Sequence, residues 1–181
     1  SPVTAEGIFR GLHVAAARRL KASELKGLRV AVQGLGHVGY SLCEKLHAAG
    51  AKLLVADIND AVLKKAEAEL GAKVLSPDVI HAADADIYAP CALGGALNAQ
   101  TVPQIKASII GGAANNQLAT RDAGQDLMDR DILYCPDYVL NAGGIINVAA
   151  ELSGTYDPAW VDQKLEGLTV TLDEIFTFSG S

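Results

Sequence analysis

The chain has 181 residues, 50% of them hydrophobic and 20% charged, a balance that excludes a disordered chain and supplies one sizeable core. Its 15 basic residues against 21 acidic ones leave a net charge of −6, which repels phosphate backbones and argues against nucleic acid as a partner. No apolar run approaches the roughly 20 residues that span a bilayer, and no charged segment leads into an apolar one as a signal peptide would, so a membrane partner is not expected.

In chain order, Thr4 is predicted to cap a first helix, with Glu6 in its first turn and Ile8, Leu12, Ala16 and Leu20 at helical spacing. The run Leu28 to Val32 is a buried strand leading into Gly34. A helix follows with Leu42, Leu46 and Ala49 on one face, and Gly50 stops it. Lys52 to Ala56 forms the second strand and ends at Asp57. Asp60 then starts a helix carrying Val62, Leu63, Ala66 and Leu70, stopped by Gly71. Lys73 to Leu75 is a short third strand, after which Ser76-Pro77 supplies a cap and a proline suited to a first helical position. Ile87 to Ala89 and Ser108 to Ile110 are further strands, separated by a short helical piece from Val102 to Ile105.

Thr120 is predicted to cap a helix running through Leu127 and Met128. Ile132 to Cys135 and Tyr138 to Leu140 are extended, and Ala142 to Leu152 is helical up to Gly154. This alternation predicts an α/β fold, a doubly wound, mostly parallel sheet of the Rossmann type with helices on both faces. The sheet domain takes residues 1–154, and a C-terminal helical segment takes 155–181, begun by Asp157-Pro158 with Val161, Leu165, Leu168, Leu172 and Ile175 in heptad-like spacing. The chain opens on Ser1-Pro2 and closes on Ser-Gly-Ser, so it is expected to be a truncated part of a longer protein. Cys43, Cys91 and Cys135 stand far apart, with no C-x-x-C and no histidine at zinc spacing. Neither a disulfide framework nor a metal site is expected, and a reducing cytoplasm fits best.

The chemistry concentrates at Gly34-Leu35-Gly36-His37-Val38-Gly39, a G-x-G-x-x-G. Such a pattern is weak alone. Here it follows an apolar strand, opens an amphipathic helix, and is followed by Asp57 at the end of the next strand, close to the roughly 20-residue spacing of a ribose-binding carboxylate. Gly34 makes the tight turn, Gly36 lets a pyrophosphate approach the backbone, and Gly39 lets helix and strand pack closely. Phosphates would then rest on the positive end of the helix dipole, which needs no Lys or Arg. Asp57 accepts from ribose hydroxyls and repels a 2′-phosphate, and Ile58-Asn59-Asp60 supplies no cation to offset it, so NAD is favoured over NADP. His37 reads as a solvated loop side chain, and His13, His47 and His81 carry no assigned chemistry.

Further glycine- and amide-rich loops follow later strands. These are Ala89-Pro90-Cys91-Ala92-Leu93-Gly94-Gly95, Gly111-Gly112-Ala113-Ala114-Asn115-Asn116-Gln117, and the stretch from Pro136 through Asn141-Ala142-Gly143-Gly144. By their chemistry they suit a carboxamide or an amino-acid head group. Together with Ser1 to Gly7, Val32 to Gly36, Ala56 to Asn59 and Asn141 to Ala149, they closely resemble the Glu/Leu/Phe/Val amino-acid dehydrogenase superfamily, nearest to its leucine dehydrogenase branch. The resemblance runs from Ser1 to about Leu152.

It implies NAD-dependent oxidative deamination of an L-amino acid, branched-chain in that branch, to its 2-oxo acid with release of ammonia. It implies that Gly34, Leu35, Gly36, His37, Val38 and Gly39 hold the pyrophosphate, that Asp57 holds the adenosine ribose, and that Ile58 beside it is a further cofactor-binding position. Cys91, Ala92 and Leu93 pass along the cofactor, Cys91 through its backbone. Asn115 and Thr4 lie toward the nicotinamide half, Ala113 is a further cofactor-binding position, and Asn141 orients nicotinamide and substrate. The family's catalytic lysines, in a G-G-x-K context, and its aspartate belong to a preceding substrate domain, and Lys21, Lys26, Lys45, Lys64 and Lys65 lack that context. No catalytic residue is therefore assigned in this chain, which is expected to bind NAD without turning over amino acid. The parent is expected to be a homo-oligomer. A nucleotide-sensing module would share the glycine loop and Asp57 but gives no reason for the amide loops. A hydroxy-acid dehydrogenase would need a histidine with a carboxylate partner, and none is evident.

Overall fold

The computed structural model describes residues 2–92, 96–113 and 121–135. Expectations for Leu93, Asn115, Thr120, Tyr138 to Leu140, Asn141, the helix from Ala142 and the C-terminal segment fall outside those residues. Four α-helices, α1 (Pro2–Arg19), α2 (His37–Ala48), α3 (Asp60–Leu70) and α4 (Arg121–Asp129), accompany six strands among the described residues. The strands are β1 (Arg29–Gln33), β2 (Lys52–Ala56), β3 (Lys73–Val74), β4 (Ile87–Pro90), β5 (Ile109–Ile110) and β6 (Leu133–Tyr134). Every pairing is parallel and the spatial order is β3-β2-β1-β4-β5-β6. This is a doubly wound sheet, as the sequence predicts.

Alternation along the strands divides the core in two. Val30, Val32, Leu53, Val55, Ile87 and Ile109 face α1, α2 and α3, whose Ile8, Leu12, Leu42, Leu46 and Ala66 are fully buried against them. Ala31, Tyr88 and Ile110 face the other way, onto Ile80, Leu97, Val102, Ile105 and Leu127. That second face is covered by α4 and by two 3₁₀ helices, Ile80–Ala82 and Val102–Gln104. Inside the sheet, Tyr88 donates its hydroxyl proton to Gln33 Oε1, which gives the one polar atom on a buried ring its partner.

Three expectations need correction. Thr4 lies inside α1 rather than at its cap, because the helix begins at Pro2, whose fixed φ suits a first turn. Glu6 is accordingly past the first turn; it pairs with Arg10 at 3.0 Å and Lys45 at 2.9 Å, fastening α1 to α2. Ser76-Pro77 opens only a turn, with Ser76 Oγ accepting from the Asp78 N–H at 3.3 Å, followed by a single 3₁₀ turn at Ile80. The chain must straighten at Ala83 to enter β4, where Asp86 Oδ2 accepts the Arg29 N–H at 2.9 Å.

The register sets Gln33 level with both Ala56 and Pro90. The loops after β1, β2 and β4 therefore leave the sheet from one edge. Between β1 and β4 the winding reverses, and open sheets of this kind take their ligands at the strand ends beside such a point.

Candidate functional site

The chain leaves β1 through Gly34, whose φ of +100 lies in the left-handed region and whose N–H donates to Ala56 O at 2.8 Å. A Cβ there would stand 2.8 Å from Ala92 Cβ, so the loops after β1 and β4 touch at this point. Gly39 is tighter still, since its Cβ would meet the Gly34 carbonyl oxygen at 1.9 Å. Gly112 plays the same part after β5, its Cβ falling 2.3 Å from Pro90 O. The sequence places Gly112 in a glycine loop but does not single it out.

Gly36 differs from these. Its φ of −70 suits any residue, and no heavy atom lies within 4 Å of where a Cβ would stand. It is exposed, it caps α2, and no side chain supplies a capping hydrogen bond. The N–H groups of the first turn of α2, and the positive end of its dipole, therefore face open space over a residue with no side chain. A diphosphate fits this arrangement.

Asp57 leaves the end of β2 half-buried and is fastened on both sides. Its Oδ2 accepts the Leu35 N–H at 2.6 Å and its Oδ1 accepts the Asn59 N–H at 2.8 Å. Asn59 in turn caps α3, its Oδ1 accepting from the Ala61 N–H at 2.9 Å. One carboxylate thus joins the glycine loop to the start of α3, and each oxygen keeps a lone pair for a further donor. The Leu35 N–H is committed to Asp57 and its side chain is buried, so Leu35 positions the loop.

A cleft of about 530 Å³ opens between α2 and α3. It brings together Leu35, Gly36, His37 and Asp57 of the expected residues. Val38 packs on the core instead, and Thr4, Gly39, Ile58, Cys91, Ala92 and Ala113 do not line it. Ile58, beside Asp57, is 95% exposed. Cys91 sits behind the glycine loop, its N–H donating to Gln33 O at 2.7 Å and its Cβ 3.4 Å from where a Gly39 Cβ would be. Burial pushes its thiol up to about 11, although the Ala113 backbone N–H pulls the other way. At neutral pH it is a neutral thiol, not a nucleophile.

The cleft adds Tyr40, which sequence reasoning passed over, and Lys65, which it weighed only as a catalytic lysine. Tyr40 donates its hydroxyl proton to Glu69 Oε2 at 3.1 Å, and burial followed by Glu69 pushes it up to about 12. Lys65 Nζ rests 4.6 Å from the centroid of the Tyr40 ring. The available signal was helical spacing, since Lys65 shares a face of α3 with Val62, another lining residue. Among the described residues no three His, Cys, Asp or Glu side chains gather as a metal site, and no helix is long and apolar enough to cross a membrane.

Comparison with known proteins adds the following. The model of the Glutamate/Leucine/Phenylalanine/Valine dehydrogenase family matches residues 55–176. Leucine dehydrogenase of Geobacillus stearothermophilus is 46% identical over 179 residues, which are 99% of this chain and 48% of that protein. Valine dehydrogenase of Streptomyces albus is 45% identical over 157 residues, 85% of this chain and 43% of that one. The crystal structure of L-tryptophan dehydrogenase from Nostoc punctiforme superposes with a TM-score of 0.93 at 44% identity, covering 99% of this chain and 56% of that one. The chain spans about half the length of the curated relatives it matches.

Proposed function

The chain belongs to the glutamate/leucine/phenylalanine/valine dehydrogenase family, and from that premise we propose that it is the NAD-binding half of an amino-acid dehydrogenase that oxidatively deaminates a branched-chain L-amino acid. The observation that carries the proposal is the open space at Gly36, set between the start of α2, where no side chain supplies a capping hydrogen bond, and the Asp57 carboxylate. When bound, NAD supplies an electrophilic nicotinamide ring that takes a hydride from the amino-acid Cα. First-turn N–H groups of α2 would hold its diphosphate, and the free lone pairs of Asp57 would accept from the adenosine ribose. Ile58 offers an exposed apolar surface that gains burial if the adenine lies on it.

Near-equal identity to dehydrogenases named for leucine and valine supports placing side-chain choice outside this half. The proposal extends to a cytoplasmic, homo-oligomeric parent. It also holds that the chain alone does not turn over amino acid, because hydride transfer needs a positioned base that we assign to the family's other domain. Titration with NADH and NADPH by cofactor fluorescence tests the reading. Saturable binding that favours NADH is expected, and so is no NADH formation from leucine or valine. Failure to bind either cofactor overturns the proposal, as does turnover by the chain alone.

A further inference from the structure

We infer that Lys65 sets how strongly this chain discriminates against a dinucleotide carrying a 2′-phosphate, by being the cation that such a phosphate meets. The inference rests on the cofactor reading above and names a specificity determinant within it. Asp57 and Lys65 line one cleft of about 530 Å³. If Asp57 holds the ribose hydroxyls, a phosphate on the 2′ oxygen enters that same space. The segment following Asp57 offers no cation, and the sequence alone therefore suggests an uncompensated repulsion. The fold supplies one from further along α3.

Its position is supported. The Lys65 ammonium lies 4.6 Å from the Tyr40 centroid, and the Tyr40 hydroxyl is tied to Glu69 at 3.1 Å, so a fastened ring holds the charge at the cleft wall. No ion pair among the described residues engages Lys65. Its charge is available to a ligand. Two carboxylates, Asp57 and Glu44, face the same space, so the cleft still disfavours the extra phosphate. Lys65 fixes by how much.

The test titrates the full chain with NADH and with NADPH and compares the ratio of the two dissociation constants. Lys65→Met should raise the NADPH value at least fivefold more than the NADH value, widening the ratio. Lys52→Met removes the same charge at the other end of β2 and should leave the ratio within twofold. Asp57→Asn should narrow the ratio at least tenfold, and Lys65→Met added to it should cancel most of that gain. A ratio that ignores Lys65 in the unaltered chain overturns the inference, as does an equal gain from Asp57→Asn with and without Lys65. If Asp57→Asn does not fold, Lys65→Met alone decides. Those results leave the cofactor reading standing, whereas no binding of either nucleotide by the unaltered chain removes both.

Discussion

Alanine at Gly36 and at Gly39 should separate binding from folding. At Gly36 two small effects oppose one another. Alanine at a φ of −70 removes freedom from the unfolded chain, which stabilises by about 0.4–1 kcal/mol. Alanine is also a poorer helix cap than glycine, which costs a similar amount. With no atom within 4 Å of the new methyl, nothing else changes, and the net effect stays within about 1 kcal/mol. In a domain of this size that is a melting shift of no more than about 4 °C. The methyl nevertheless fills the space assigned to the diphosphate, and NADH affinity should fall tenfold or more. At Gly39 the new Cβ stands 1.9 Å from a backbone oxygen, too close for any rotamer to relieve. Overpacking of this kind costs about 3 kcal/mol, against about 1 kcal/mol gained in helix propensity, so the melting point should drop by about 4–8 °C. Thermal melts by circular dichroism and fluorescence titration read both quantities. Undiminished NADH binding by Gly36→Ala, or an unchanged melting point for Gly39→Ala, would refute the reasoning.

Three further outcomes follow from other contacts. Asp57→Ala leaves the Leu35 and Asn59 N–H groups without their acceptor, so denaturant unfolding should show a loss of about 1–3 kcal/mol, and NADH binding should weaken more than NADPH binding. Burial pushes the Glu6 carboxyl up, but hydrogen bonds and charge from Lys45 and Arg10 outweigh it and hold the group below its usual 4.5. Its contribution is therefore complete above about pH 4.5 and fades as the pH falls through the lowered value, so Glu6→Gln should cost up to about 1 kcal/mol at pH 7 and progressively less as the pH falls below 4.5. Burial raises all three thiols, Cys135 to about 12 and Cys91 to about 11, so an aromatic disulfide reagent at pH 7.5 should label them slowly in the native chain and rapidly in denaturant. A cysteine that reacts natively at the rate of a free thiol would contradict this.

Local signals were legible in the sequence wherever neighbours along the chain decide the outcome. The strand from Lys52 to Ala56 and the helix from Asp60 to Leu70 match their expected bounds, because an apolar run and period-3.6 burial are punctuated there by Asp57 and by Gly71, which adopts a φ of +61. The cap at Thr4 failed because Pro2 starts the helix earlier, and the helix after Ser76-Pro77 failed because the tether between Asp86 and Arg29 is a tertiary constraint. At the site, the motif spacing marked Gly34 as the tight turn and Gly39 as the close contact of helix and strand, and the structure shows both. It did not show that Asp57 already holds the Leu35 N–H, nor that Tyr40 and Lys65 share the cleft. Those contacts join α2 to α3 and the loop after β1 to the end of β2, and no local pattern encodes them.

The strand order also bears on how the molecule assembles. Strand β1 meets β2 across α2 alone, whereas Val30 must find Ile87 across α2, β2, α3 and β3. The added loop-closure entropy is only about 1 kcal/mol, since it grows with the logarithm of length, but the search for remote pairing is slow. The half from β1 to β3 holds the Asp57 tether, while the contact of Ala92 with the glycine loop arrives only when β4 docks. A nucleotide that touches both sides would bind the docked form alone and act as a clasp on the slowest joint in the sheet.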